Sequence, residues 1–264
     1  MLNFSFPKKA TEWSPWLDSL ALLLWGGLLL KYAITGQLAL LIHPNYFGLS
    51  IAAGLVLLFL GLGKLWQNLN PSLYPGDSMQ HISLLPQNLG SLLLILVAIA
   101  GFIVSPSILA SQTAIQRGLT DDLPLTRSQP ESFRVGAKPE DRTLLDWIRT
   151  LNAYPEPDAY TGQPVKVSGF VTYLPQLPEN YVMVSRFVLT CCAVDAYPVG
   201  LPVQLSDELP KPESDSWVEV EGEMITREFE LSPEETEAGV ERRQLVIVAN
   251  AVNPIPTPKN PYDY

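Results

Sequence analysis

The hydrophobic pattern divides the chain into two regimes. Between residues 19 and 116 apolar side chains come in long runs, and from residue 142 onward they come in short, periodic sets. Residues 44–63, PNYFGLSIAAGLVLLFLGLG, carry no charge before Lys64, and residues 82–116, containing LGSLLLILVAIAGFIVSPSILA, carry none either. The hydrocarbon core of a bilayer takes about 20 helical residues. Both runs therefore predict spans, at 46–64 and 88–110. The first run is interrupted: SLALLLWGGLLL covers 19–30, Lys31 follows, and YAITGQLALLI continues to Ile42. A lysine at the bilayer centre costs about 2.5–3.5 kcal/mol. A span over 16–35 avoids that cost, because Lys31 then reaches the far interface while Trp13 and Trp16 anchor the near one. No small-residue cleavage site follows residue 30, so this run reads as an uncleaved anchor.

The pattern changes after residue 110. Residues 111–141 are polar, contain prolines and keep no sustained period, which predicts a linker. RTLLDWIRTL then places Leu144, Leu145, Trp147, Ile148 and Leu151 on one helical face, with Pro155 and Pro157 closing the helix. Five strand-like runs follow: PVKVSGFVTYL, YVMVSRFVLTCC, LPVQLS, WVEVEGEM and RQLVIVANAV. In the fourth, Val218, Val220 and Gly222 alternate with Glu219, Glu221 and Glu223, the mark of a half-exposed strand. Five strands in about 90 residues, with glycines where strands must bend, fit a small Greek-key β-barrel of the OB type. The expectation is three transmembrane helices in a membrane domain over 1–110, a linker over 111–141, an amphipathic helix plus an OB-like β-barrel over 142–258, and a tail over 259–264.

Composition agrees with a membrane protein. The chain of 264 residues is 47% hydrophobic but only 17% charged, with a mean hydropathy of +0.14 and a formal charge of −10. Soluble domains are about a quarter charged. Residues 1–110 hold four basic and three acidic residues, leaving thirteen basic and twenty-four acidic ones for 111–264. Placing Lys8, Lys9 and Lys64 on the cytoplasmic side satisfies the positive-inside bias. That puts the N-terminus in the cytoplasm and the C-terminal domain outside the inner, or plasma, membrane. The acidity excludes nucleic acid, since OB barrels bind it through a basic groove and stacking aromatics. No P-loop, dinucleotide fingerprint, HExxH or G-x-S-x-G is present, and Glu234, Glu235 and Glu237 sit in an acidic loop, so nothing points to an enzyme.

The densest cluster of unusual residues runs from Arg186 to Leu201, RFVLTCCAVDAYPVGL. Cys191 and Cys192 are adjacent, so their Cα atoms lie about 3.8 Å apart, short of the usual disulfide range. A bond between them suits a redox switch better than a staple. Neighbouring side chains on a strand point to opposite faces. The two sulfurs can share a metal only where the strand ends, and the turn-like Tyr197-Pro198-Val199-Gly200 after Asp195 predicts such an ending. Three readings stand: both cysteines are buried small hydrophobes with Asp195 capping a turn; Cys191, Cys192 and Asp195 hold zinc or another divalent metal with a partner completing the set, or act as redox thiols; or the cluster docks a partner. His43-Pro44 reads as a helix-entry turn, with a ligand or proton-relay role for His43 as the alternative. His81 reads as a solvated loop residue.

The cluster, together with the preceding YTGQPVKVSGFV and the distant IHP at 42–44, resembles the YcgQ-type permease subunit family, over nearly the whole chain. Members of that family are membrane-anchored, carry a C-terminal domain of unassigned function and pair with a separate polytopic permease. The family's usual arginine after IHP is replaced here by Asn45. The resemblance implies an accessory subunit of a transport assembly whose partners are a polytopic membrane permease and the lipid bilayer, with Arg186, Pro198, Gly200, His43 and Pro44 as further candidates for ligand or partner binding. Three spans with almost no internal charge lack the ionisable residues that line transport paths, which fits an accessory role. Gly26, Gly27, Gly54, Gly61 and Gly63 are expected to let the helices approach closely. Two rivals are a membrane-tethered metal or thiol-redox protein, and an anchor whose barrel binds an envelope partner.

Overall fold

The computed structural model describes residues 14–70, 89–119, 138–228 and 243–264. The chain divides into two compact units, Met1–Ser107 and Ile108–Tyr264.

The first unit is helical: α1 spans Ser14–Ile34, α2 Phe47–Leu69 and α3 Leu89–Ile103. Between α1 and α2 the chain turns through Gly36, whose positive φ of 75° favours glycine, and through a 3-10 turn at Gln37–Leu40. α1 and α2 are long and apolar enough to cross a membrane. The expected third span is not matched in length, because α3 has only 15 residues. It stops at Ile103, just ahead of Ser105-Pro106, where a proline drives the preceding residue out of helical backbone. Conversely α2 runs past the expected end at 64 to Leu69, so Lys64 lies within the helix.

Small residues set the spacing of α1 against α2. A Cβ added to Gly26 would stand 2.8 Å from the Gly54 carbonyl, and one added to Gly61 would stand 2.9 Å from Leu23. Gly54 is similarly covered by Leu30, whereas Gly63 meets nothing within 4 Å and Gly27 only an ordinary contact, so three of the five expected glycines carry the approach. α3 runs beside α1 in the same direction, since Tyr32 Oη donates to Gly101 O at 2.7 Å and Ser91 Oγ donates to Asp18 Oδ1 at 2.5 Å. Polar groups pair between the helices. Lys64 Nζ meets Asp18 Oδ2 at 2.8 Å, Asn68 donates to Pro15 O and Ser19 Oγ at 3.0 Å each, and Lys31 Nζ caps the last turn of α3 through Phe102 O at 3.1 Å.

The second unit is a closed five-stranded barrel. After the short α4 (Ser111–Gln116) and the amphipathic α5 (Leu144–Ala153) come β1 (Pro164–Thr172), β2 (Tyr181–Val188), β3 (Tyr197–Gln204), β4 (Trp217–Glu228), β5 (Arg243–Pro254) and a two-residue β6 (Tyr262–Asp263). Around the barrel the order is β1-β2-β3-β5-β4 and back to β1, with β3–β5 parallel and the other four contacts antiparallel. This is the Greek-key closure expected of an OB-type barrel. The alternation read in β4 holds: Val218, Val220, Gly222 and Met224 are buried, while Glu219 and Glu221 are half-exposed and Glu223 exposed. α5 begins at a capping box, in which Thr143 Oγ1 accepts from Asp146 N and the Asp146 side chain accepts from Thr143 N. Its Leu144, Leu145, Trp147, Ile148 and Leu151 are all buried in the barrel core.

Three stretches differ from the sequence reading. Tyr197-Pro198-Val199-Gly200, read as turn-like, is the start of β3 and pairs residue for residue with Val188, Phe187, Arg186 and Ser185. Burial of Val199 and Leu201 outweighs the turn preference of Pro198 and Gly200. The tail forms β6, which pairs in parallel with Phe187 and Val188 and buries Tyr262. Both ends of the expected linker are structured: α4 buries Ala114 and ties Ser111 N to Asp215 Oδ1, and a 3-10 turn occupies Pro139–Asp141. Residues 120–137, the rest of that linker, lie outside the described residues.

Barrel closure depends on glycine at a β-bulge. The β4–β5 register shifts between Glu221, which faces Ala251, and Gly222, which faces Ala249. A methyl on Gly222 would run into the Val248 carbonyl, whereas on Gly200 it would press mainly on the Ser185 hydroxyl at 2.8 Å. Gly222→Ala is expected to destabilise the barrel by about 3 kcal/mol, and Gly200→Ala by about 1 kcal/mol. Urea unfolding followed by tryptophan fluorescence should place the midpoints in that order; equal midpoints would contradict the bulge constraint.

Candidate functional site

β2 leaves the ladder at Val188, and the loop 189–196 that carries it to β3 holds the cysteine cluster. Its geometry is set by Asp195. The carboxylate accepts from Cys191 N at 3.0 Å through Oδ2 and from Cys192 N at 3.1 Å through Oδ1, while Asp195 N donates back to Cys192 O at 3.0 Å. The loop is fastened from outside by Arg117, at the end of α4, whose Nη1 donates to Ala193 O at 3.1 Å and Ala196 O at 2.5 Å. The result is a tight turn with Val194 86% exposed at its tip.

Freed from strand geometry, the two sulfurs point the same way. Cys191 Sγ and Cys192 Sγ lie 3.6 Å apart as free thiols, and the two sulfurs and an Asp195 oxygen all fall within 4.8 Å of one another. Cys191 is exposed and Cys192 half-exposed, so the pair is not part of the core. The turn-capping role expected of Asp195 is present. Electrostatics favour a held proton: acceptance by Asp195, then by the neighbouring Cys192, pushes the Cys191 thiol up to about 11. Burial works to raise the Asp195 carboxyl, but hydrogen bonds from the Cys191 thiol, the Cys192 amide, Thr190 and the Cys191 amide outweigh it and hold the group below its ordinary value.

The other candidates lie elsewhere. Pro198 and Gly200 are buried in β3, facing Phe187 and Ser185 across the ladder. Arg186 joins three elements instead of the cysteine loop. Its Nε and Nη2 donate to Ser168 O and Oγ at 2.8 and 2.9 Å, its Nη1 to Asp263 Oδ1 at 3.0 Å, and its guanidinium lies 5.2 Å from the Trp217 ring centre. The pair lies in a cleft of about 260 Å³ that also includes Arg142, Lys166 and Glu219. Burial pushes the Asp263 carboxyl up, against the pull of the Arg186 charge. His43 caps the 3-10 turn Pro44–Tyr46 by accepting from Asn45 N at 3.1 Å through Nδ1, with Pro44 at the first position, as the helix-entry reading expected. His81, Trp13, Glu234, Glu235 and Glu237 lie outside the described residues.

Arg117 and Asp263 were not legible as members of these clusters, because each reaches its partners across about 80 residues of chain. A local signal existed only for Asp195, an acid four residues after Cys191 in a position suited to an Asx-type turn.

Chemically, the loop can carry two sulfur donors and one oxygen donor once its thiol protons leave. Because the thiolate is the nucleophile, alkylation of Cys191 is expected to climb with pH until about 11 rather than level off near the ordinary thiol value of 9. Asp195→Asn removes the charge and replaces one of the two acceptor oxygens by a donor, so the thiol value falls and alkylation at pH 8 speeds up. Site-resolved mass spectrometry after iodoacetamide treatment measures both, and a plateau by pH 9 in the native chain would count against the Asp195–Cys191 hydrogen bond.

The chain compares with known families along most of its length. Residues 17–120, which include most of α1 and all of α2 and α3, match the DUF1980 N-terminal domain. Residues 137–264, which include α5 and the whole barrel, match the DUF1980 C-terminal domain. No curated protein matches the chain. With a helical unit matching the first domain and the barrel with its cysteine loop matching the second, the chain carries both domains of the DUF1980 family, in that order.

Proposed function

We propose that the chain is an accessory, membrane-anchored subunit of a two-component permease, with its barrel outside the cytoplasmic membrane. The observation that carries this reading is the distribution of polarity in the helical unit. Leu49, Leu55, Val56, Phe59 and Leu62 of α2, and Leu93, Leu96, Val97 and Ile103 of α3, are large apolar side chains turned outward. The polar groups of the same helices pair with one another between the helices, in Lys64–Asp18, Asn68–Ser19 and Lys31–Phe102. Water-soluble bundles have the reverse arrangement, whereas a bilayer demands internal satisfaction of every polar group. Trp16 and Trp66, at the start of α1 and near the end of α2, fall at one end of the antiparallel pair, as an interfacial aromatic belt requires.

The same pairing supports an accessory role over a transport path within this chain. Asp18 is neutralised by Lys64, and Lys31 by a helix C-terminus, so among the described helix residues no acid or base is left to line a path. The outward apolar faces of α2 and α3 are available to lipid and to a partner's helices. The resemblance to YcgQ-type subunits, through RFVLTCCAVDAYPVGL, supports a polytopic permease as that partner. The uncharged sequence 82–103, which ends with α3, has the length of a third crossing, and a third crossing would put the barrel on the far side from the N-terminus.

Two measurements test the reading. The tagged chain, extracted in mild detergent, is expected to bring down one polytopic partner in stoichiometric amount, and to lose it when residues 14–110 are replaced by an unrelated anchor. Recovery of the chain alone would sink the subunit assignment. For orientation, Val194→Cys in a Cys191→Ser, Cys192→Ser background should be labelled in intact cells by a membrane-impermeant maleimide, and labelling only after lysis would place the barrel in the cytoplasm.

A further inference from the structure

The described residues contain one other built feature with unused chemistry, the loop at Cys191, Cys192 and Asp195. We infer that this loop is an open, three-donor site for a zinc-class divalent cation, bound by the two sulfurs and one oxygen of Asp195, with a fourth position left for exchange. The argument begins with the bite. Tetrahedral coordination with metal–sulfur bonds near 2.3 Å puts two sulfurs about 3.8 Å apart. The observed separation is 3.6 Å, so a cation can enter between them with almost no movement of the backbone. A disulfide would instead draw the sulfurs to about 2.05 Å across adjacent residues. A linear two-coordinate ion at the same bond length would need them about 4.6 Å apart. The geometry selects tetrahedral chemistry over both.

The second part of the argument is preorganisation. The donors of an accidental pair of surface cysteines would be loose, but these are fixed at four points: the Cys191 and Cys192 amides on Asp195, and the Ala193 and Ala196 carbonyls on Arg117. The Asp195 carboxylate accepts from these two amides, from Thr190 and from the Cys191 thiol, and the last of these bonds is given up with the thiol proton when a cation binds, which frees that position for the metal. Such outer hydrogen bonds orient ligands and tune their basicity. The donor set of two sulfurs and one oxygen excludes Mg²⁺ and Ca²⁺, which take oxygen alone, and suits a borderline-soft ion. On binding, Cys191 and Cys192 each give up the S–H proton to solvent as the sulfur–metal bond forms. Structural zinc sites are closed by four protein ligands, whereas sites that pass on or react at the metal keep a position open. With Cys191 exposed and Val194 standing at the tip, the open position faces a partner or an incoming ligand rather than the core. The inference stands on the loop alone and does not depend on the permease reading.

The test uses the full-length protein in detergent with Co²⁺ as the probe and Zn²⁺ as competitor. Expected is one Co²⁺ per chain, with a sulfur-to-cobalt charge-transfer band and the strong visible bands of tetrahedral cobalt, all removed by Zn²⁺. Cys191→Ser and Cys192→Ser should each abolish the charge transfer at one equivalent of metal, and Asp195→Asn should weaken binding about tenfold or more. Zn²⁺ should also slow iodoacetamide alkylation of both cysteines in the native chain, a readout that needs no variant to fold. An unaltered alkylation rate in saturating Zn²⁺, or a charge-transfer band that persists in the double serine variant, overturns the site. Loss of the permease partner with the cobalt spectrum intact would count against the subunit reading and leave this one standing.

Discussion

Closing five short strands into a barrel brings backbones closer than side chains allow, and the rest of the second unit follows from how this chain meets that constraint. At the β1–β2 seam Gly169 faces Ser185 so closely that a Cβ would stand 2.5 Å from its carbonyl, and at the β4–β5 bulge Gly222 does the same for Val248. The seam is short, with only Phe170, Val171 and Thr172 pairing across it. Arg186 reinforces it from the side, taking β1 through Ser168 and β6 through Asp263 while stacking on Trp217 of β4. A half-buried arginine with all of its donating nitrogens engaged is a strong clasp, because breaking it strands the Asp263 carboxylate in a site that already disfavours its charge. The closure also decides where β2 must stop. Its last ladder residue, Val188, pairs with β3 and β6 at once, and the chain beyond it is released into the cysteine loop.

Local signals made most of the barrel legible. The alternation of Val218, Val220 and Gly222 against three glutamates gave β4, and the one-sided spacing of Leu144, Trp147, Ile148 and Leu151 gave α5, because both patterns record burial directly. What could not be read depends on partners remote in sequence. Tyr197-Pro198-Val199-Gly200 has the composition of a turn and becomes a strand because Val199 lands in the core and the backbone finds β2 to pair with. Tyr262 and Asp263 look like a loose end until Phe187 and Arg186 supply a ladder and a counter-charge. Of the site, the residue types and the capping acid were visible in order along the chain. The exposure of Cys191, the common direction of the two sulfurs and the fastening by Arg117 were not, since each depends on where β2 ends.

The helical unit follows the opposite economy of polarity. In the barrel, apolar residues are gathered inward and the charged faces of β1 and β4 meet water, where Lys166 bridges Glu219 and Glu221. In the helices, the few charges pair between one helix and another and the leucines are displayed. The sequence suggested this by spacing its few charges widely, but it could not show that Asp18, Lys64 and Ser91 meet, since they come from three different helices. That meeting has an energetic reason. A lysine and an aspartate left apart in an apolar medium would each need its own way out to water, whereas paired they satisfy one another and pin the register of α1 against α2 and α3. The close contacts at Gly26, Gly54 and Gly61 then take effect at one fixed register.

Set side by side, the two units differ in what they leave unsatisfied. In the helices the paired charges leave apolar surface, which attracts lipid or other helices without chemical selectivity. In the loop at Cys191 the turn is fastened through Asp195 and Arg117, and what it presents is two sulfurs beside a carboxylate. A cation bound as inferred above would be selected by the loop, because donor type and spacing discriminate between ions in a way that a leucine surface cannot. The hydrogen bond that the Cys191 thiol donates to Asp195 favours the protonated sulfur, which is a weaker nucleophile than the thiolate.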